Sequence, residues 1–239
     1  MQMTNRILRW PTYVGTGFYC PVCKRDSRRF KAAGDPPRKN AECPRCGARE
    51  RHRLLMHFLD SEMNIGNFGR QLRILHIAPE RMISLRLRKY GNVEYISGDI
   101  NPGRGMVVVD VTNIPYQDEQ FDVVICCHVL EHVNDHLTAM SELRRVLKSD
   151  GFAIIDAPVR EELAETFEDW TITTPEGRRQ AFGQWNHVRL YGRDYPELLR
   201  RASFNVAIDP ISISEKHKRQ FALDNGDRIY YCTRAPSEE

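Results

Sequence analysis

The sequence has no apolar run long enough to cross a bilayer: FDVVICCHVL, among its longest, is about half of the roughly 20 residues a spanning helix needs. MQMTNRILRWPTY offers neither a continuous apolar core nor a small-residue cleavage site, so no signal peptide is expected, and RILRW reads as a short docking segment. With seven cysteines and no export signal, the expectation is reduced thiols, a cytoplasmic location and no membrane partner. Glycine is missing from a place where an α/β protein often needs it. The stretch ILHIAPERM, residues 74–82, runs from a strand-like pattern into Ala78-Pro79-Glu80, and the next glycine is Gly91. A strong net charge is also missing. The chain is +3 overall, but residues 1–57 carry 13 Lys/Arg against 4 Asp/Glu, a balance of +9, which leaves −6 for the remainder. A basic front attracts phosphates or acidic surfaces, and equally can be a solvated face.

What is present begins with size. A chain of 239 residues, 41% of them hydrophobic, can bury the core of one α/β domain and carry a small appended module. The module is announced by FYCPVCKRDSRRF and AECPRCGARE, which supply Cys20, Cys23, Cys43 and Cys46 as two C-x2-C pairs. Each such turn brings two sulfurs to one side, and two turns complete a tetrahedron around zinc. Four unrelated buried cysteines or two disulfides are the competing readings; the spacing favours zinc. Four thiolates close the shell, so the metal is expected to be structural. Next, ARERHRLLMHFLDSEM repeats Leu54, Leu55, Phe58, Leu59 and Met63 at helical spacing. Arg49, Arg51 and Arg53 crowd its first turn, where the helix dipole disfavours cations, so they are expected to pair with acids or to hold an anion. Residues 1–66 are read as zinc ribbon and linking helix, and residues 67–239 as the main domain.

In that domain QLRILHIA, VEYISGDI, GMVVVDVTNI, FDVVICCHVL and GFAIIDAPV read as five strands. MISLRLRKYG reads as a helix closed by Gly91. A second helix is capped by Asn134 or Asp135, has Leu137, Met140, Leu143 or Arg144, and Leu147 on one side, and ends at Gly151. RIYYCTR is expected to be a late antiparallel strand. Strands alternating with helices imply a Rossmann-like, doubly wound, mostly parallel sheet, which binds ligands beyond the carboxyl ends of its strands. Asp99 lies 21 residues past Ala78 at such an end, where a ribose is held by its hydroxyls, and Asp110 follows the next apolar run.

YQDEQFDVVICCHVLEHVNDHLTAMSELRRVLKSDGFAII resembles the class I S-adenosylmethionine-dependent methyltransferases of the type 11 group. That family carries FD-x-V, an H-V-L-E-H-V turn and a helix ending L-K-x-G-G; here the last pair is Asp150-Gly151. A smaller subgroup is similar nearly end to end, through the C-P-x-C ribbon, ERHRLL, LHIAPE and FGQWNHVRLYGRDY, over about residues 18–206. The family's first loop reads acid-x-Gly-x-Gly; here His76, Ala78 and Glu80 stand at those positions. The resemblance implies S-adenosylmethionine as cofactor, held by His76, Ala78, Pro79, Glu80, Asp99, Ile100, Asp110, Val111 and His128, with Glu80 a candidate to face the cofactor's ammonium group.

His128 and His187 are the candidate bases, and Gln184, Trp185, His187 and Arg189 the candidate substrate contacts. Glu131 is read as a capping and packing residue at the helix entry, a role that stays open for His132, and Phe182 and Trp185 are read as core. No N-P-P-Y or D-P-P-Y follows the fourth strand and no Pro-Cys pair is present, which argues against amino methylation of bases and against a cysteine nucleophile. The expected acceptor is a hydroxylated small molecule or sugar. The alternatives are an RNA acceptor gripped by the basic ribbon, and a non-catalytic zinc-bearing binding protein with a degenerate loop.

Overall fold

A computed structural model describes residues 10–223 and 226–236. The chain divides into two compact units, one of residues 1–70, 80–92 and 211–228, the other of residues 71–79, 93–210 and 229–239.

The first unit opens with two hairpins. Strand β1 (Phe18–Cys20) pairs antiparallel with β2 (Arg25–Ser27), and β3 (Lys31–Ala33) with β4 (Arg38–Glu42). Gly47 leaves the second cysteine turn at φ +80°, a backbone setting that costs glycine little. Helix α1 (Glu50–His57) buries Leu54, Leu55 and Met56, and a π turn at Phe58–Glu62 buries Phe58 and Leu59, so the apolar face read from the sequence is the one packed. Arg53 departs from expectation. It is fully buried and pairs with no acid; its guanidinium donates to the carbonyls of Asn40, Ala41, Ala48, Phe221 and Ala222. Helix α2 (Arg81–Leu87) stops short of Gly91, because the next amide groups turn back to Arg86 and Leu87 in tight 3₁₀ fashion.

The second unit is a seven-stranded sheet. It contains β5 (Leu72–Ile77), β6 (Val93–Asp99), β7 (Val107–Val108), β8 (Phe121–Cys127), β9 (Leu147–Asp156), β12 (Phe204–Ile208) and β13 (Tyr230–Arg234). The order is β12-β13-β9-β8-β5-β6-β7, parallel except for β13, which runs antiparallel to both neighbours. All seven residues of β8 are buried, as its unbroken apolar run requires of a strand covered on both faces. Asp122 begins that strand and latches its neighbours: Oδ2 accepts from the Arg73 amide at 2.7 Å, and Oδ1 pairs with Lys148 Nζ at 3.0 Å. Cys126, Cys127 and Cys232 pack in the interior.

Helix α3 (His136–Val146) is capped by Asp135, whose carboxylate accepts from the Thr138 amide, and it buries Ala139, Met140, Leu143 and Val146. Leu137 faces outward, and the helix ends five residues before Gly151, which lies inside β9. Strand β7 is far shorter than its apolar run, because Asp110 bends the chain into a turn closed by Thr112. The long segment after β9 is built from β10 (Phe167–Glu168), helix α4 (Pro175–Phe182) and β11 (Arg189–Leu190), with β10 and β11 paired; helix α5 (Tyr195–Arg201) follows. Among the described residues no helix is long and apolar enough to cross a membrane.

Candidate functional site

The carboxyl ends of β5, β6 and β8 carry the groups of interest. At the end of β5, Ala78 adopts φ +48° and donates its amide to Gly98 O at 2.7 Å. The left-handed turn that a glycine would make freely is therefore kept by alanine, at roughly 1–2 kcal/mol. His76 is buried inside β5 with Nδ1 2.9 Å from the Tyr95 hydroxyl, so its ring serves the core and not a ligand. Glu80 also departs from the expected role. Its Oε1 lies 3.1 Å from His52 Nε2, an ion-pair separation, and His52 Nδ1 accepts from the Arg49 amide, so Nε2 is the ring nitrogen that carries the proton. That carboxylate is committed to His52 within the first unit, rather than to a ligand's ammonium group.

Asp99 ends β6 and is 8% exposed. Its hydrogen bonds fall on one oxygen: Oδ1 accepts from Asn101 N at 2.7 Å and Asn101 Nδ2 at 3.0 Å. No hydrogen bond to the second oxygen is seen among the described residues. Ile100, beside it, is 64% exposed, an apolar platform at the same strand end. Asp110 is exposed and likewise uses only Oδ1, toward Thr112; Val111 behind it is buried. Gly98 permits this arrangement, because a Cβ there would lie 2.5 Å from the Val109 side chain.

At the end of β8, His128 holds φ +55° while its amide donates to Asp156 O at 2.8 Å. A non-glycine residue held in that region costs of order 1–3 kcal/mol, and the surrounding contacts must supply it. Its Nδ1 lies 3.4 Å from Glu131 Oε1. Glu131 is 1% exposed, and its Oε2 has no hydrogen-bond partner. Burial pushes its carboxyl up, but the bond from His128 and the charges of His128 and His132 outweigh that and hold it below the usual range. His132 and His187 meet edge to face with centroids 4.7 Å apart. His132 Nδ1 lies 3.1 Å from Asn186 O. His187 is 6% exposed, bonds the Phe182 backbone, and has an unpartnered Nδ1. Burial lowers its basicity, with Glu131 opposing. One ligating atom from each of Glu131, His132 and His187 falls within 4.8 Å of the others.

Arg189 fixes this cluster. Its guanidinium is fully buried and donates to the carbonyls of Leu130 at 2.7 Å, Asn134 at 2.8 Å and Val133, and to Glu168 Oε1 at 2.5 Å. With its donors spent inside the fold, Arg189 is a clamp on the turn that carries Glu131 and His132, not the anion contact expected of it. Phe182 is core as expected, whereas Trp185 is 56% exposed and Gln184 is exposed beside it. The sequence reading passed over the joint role of Glu131 and His132. The signal available for it was H-x-x-E-H followed by a distant histidine, and only the fold brings His187 across those 55 residues.

The four ribbon cysteines converge in the first unit. Cys20 Sγ lies 3.7 Å from Cys46 Sγ, and Cys23 Sγ 3.9 Å from Cys43 Sγ. The edge of a zinc tetrahedron with Zn–S of about 2.3 Å is close to 3.8 Å, so the sulfurs stand where such an ion needs them. None of the seven cysteines is joined in a disulfide.

Comparison with known proteins gives a consistent picture. Residues 69–155 match the family described as "Methyltransferase domain". A 67-residue stretch is 37% identical to an uncharacterized protein of Methanocaldococcus jannaschii, covering 26% of this chain and 29% of that one. A 93-residue stretch is 28% identical to sterol 4-C-methyltransferase strm-1 of Caenorhabditis elegans, covering 39% of this chain and 26% of that one. The matches thus span under a third of either curated relative. Among solved structures, a SAM-dependent methyltransferase from Archaeoglobus fulgidus aligns with TM-score 0.50 and 18% identity over 77% of this chain and 94% of that one. The PH0226 protein of Pyrococcus horikoshii aligns with TM-score 0.48 and 19% identity over 77% and 91%. At 18% identity the Archaeoglobus likeness speaks to fold alone.

Proposed function

We infer that this chain, whose residues 69–155 match the methyltransferase-domain family, transfers a methyl group from S-adenosylmethionine to a hydroxylated small molecule or sugar. The observation that carries the reading is Asp99: a nearly buried carboxylate at the end of β6, with one oxygen tied to Asn101 and the other open beside the exposed Ile100. This donor set fits a ribose diol and an adenine face. When bound, the cofactor supplies a methyl carbon on a positively charged sulfur. Asp99 would accept hydrogen bonds from the ribose hydroxyls, Ile100 and Val111 would pack on the adenine, and Asp110 would accept from its amino group. Ala78 keeps the first loop in the left-handed turn that brings backbone near the methionine end. His128 stands at the strand end where a methyl acceptor lies in the class I fold, and is the group we assign to orient the acceptor or take its proton. His187, less basic through burial, is the second such group.

The ribbon is assigned a structural zinc on Cys20, Cys23, Cys43 and Cys46, with no open position for chemistry. A second reading draws on the basic hollow of about 400 Å³ in the first unit, bordered by Lys24, Arg45, Arg81, Arg86 and Lys89, which suits the phosphates of an RNA acceptor. Asp60 neutralises part of it through Lys24 at 3.7 Å and Arg86 at 3.1 Å, which favours the small acceptor. Titration calorimetry with S-adenosylmethionine, followed by methyl transfer to hydroxylated acceptors and to RNA, tests these readings. Heat of binding with turnover on the former supports the proposal. RNA methylation that falls steeply with salt favours the second reading, and no heat at millimolar cofactor removes both.

A further inference from the structure

We propose that Glu131, His132 and His187 form a binding site for a divalent first-row transition-metal ion, distinct from the cysteine cluster. Two imidazoles and one carboxylate converge within 4.8 Å. Ligand atoms about 2.1 Å from a tetrahedral ion stand roughly 3.4 Å apart, so the three groups would close by up to about 1.4 Å on binding one. The hydrogen-bond pattern prepares the ligands. His132 gives Nδ1 to the Asn186 carbonyl, which leaves Nε2 with a lone pair. His187 bonds a backbone group of Phe182 and leaves Nδ1 without a partner. Glu131 gives Oε1 to His128 and leaves Oε2 without a partner, although the residue is almost wholly buried.

Two buried orphan atoms in one cluster are costly unless something satisfies them. A single cation satisfies both. The N,N,O set suits zinc, iron(II), cobalt(II) or manganese(II) better than an all-oxygen ion such as calcium. Three protein ligands leave positions open, and the cluster is built from the turn after β8, beside His128. Arg189 is its positioning residue, since it holds the carbonyls of Leu130, Val133 and Asn134 and so sets Glu131 and His132 against His187.

The assignment of the ion stands without the proposed function; its use rests on that function. An acceptor hydroxyl bound at an open position loses its proton more readily, and the proton passes to His128. The freed oxygen then takes the methyl carbon as the bond from that carbon to sulfur breaks, and the sulfur leaves as a neutral thioether.

The test counts ions on the full chain. After loading with cobalt(II) and removal of excess, elemental analysis should find two ions per chain in the unaltered protein and one in His187→Ala and in His132→Ala. The absorption spectrum separates the sites. Intense sulfur-to-cobalt charge transfer from the four cysteines should persist in both variants, while weak visible bands of a nitrogen–oxygen site should vanish. That persistence also reports that the variant is folded. A count of one in the unaltered protein, or of two in both variants, overturns the proposal, and the unaltered count decides even if a variant does not fold. Two ions with no methyl transfer to any acceptor leave the metal site standing and defeat the proposed function.

Discussion

Replacing Asp99 by alanine removes the one carboxylate at the β6 end that is both nearly buried and half committed. In the folded protein its Oδ1 orders Asn101 through two bonds, at 2.7 and 3.0 Å, and the other oxygen is assigned to the ribose diol. A hydrogen bond to a charged group contributes about 1.5–3 kcal/mol, and each 1.4 kcal/mol is tenfold in affinity. The Asp99→Ala chain should therefore bind S-adenosylmethionine roughly 10- to 150-fold more weakly. Asp99→Asn keeps the shape and an acceptor for Asn101 but loses the charge, and its loss should be smaller. Asn101→Ala deletes only the side-chain bond and leaves the backbone amide in place. It should cost about 0.5–1.5 kcal/mol of affinity, or about two- to tenfold. The measurement is titration calorimetry on the full chain, with a urea denaturation curve for each variant to establish that the sheet is intact. If a folded Asp99→Ala chain binds within twofold of the unaltered protein, the ribose has been placed at the wrong strand end and the reasoning fails.

Other outcomes follow from the same geometry. Arg189→Met leaves three buried or half-buried carbonyls and the Glu168 carboxylate without their donor, so unfolding free energy in urea should drop by more than about 3 kcal/mol. An unchanged midpoint would show that the clamp is incidental. Burial, with the nearby Arg189 charge, pushes the His136 imidazole down to about 4, from an ordinary 6.5, so it is neutral in the fold. The unfolded chain binds that proton first. Stability is therefore full above about pH 6.5, declines as pH falls toward 4, and loses nothing further from this group below it. The loss is roughly 3 kcal/mol at most. His136→Gln should flatten that slope in denaturation curves across pH 4 to 7, and an unaltered slope would refute the assignment. Ala78→Gly relieves a left-handed alanine, and the thermal midpoint should rise by an amount equivalent to up to about 1 kcal/mol. A fall would mean that the methyl group makes contacts worth more than the strain.

Much of this architecture could be read from local pattern. The buried run of β8, the alternation of strands and helices, the Asp135 cap and the paired C-x2-C turns are each signalled within a dozen residues. Helix ends were less legible. Nothing local distinguishes the end of α3 at Val146 from one at Gly151, because the decision lies in the pairing of Leu147 with Phe121 across the sheet. The two buried arginines show the same limit. Arg53 reads as a partner of acids or an anion and Arg189 as an anion contact, and only the folded chain reveals that each gathers carbonyl oxygens from distant segments. For the candidate site, Asp99 and His128 were found by their place at strand ends. The pairing of Glu131 and His132 with His187 required a contact across 55 residues. Trp185 was misjudged because aromatic content alone does not say which side of a loop faces water.

The reach of Arg53 has a consequence for synthesis. Its partners at Asn40, Ala41 and Ala48 leave the ribosome early, whereas Phe221 and Ala222 emerge some 170 positions later. The guanidinium cradle can reach its final form only once Phe221 and Ala222 have emerged, so a nascent chain stalled or released before that point would expose an unfinished surface to chaperones and proteases.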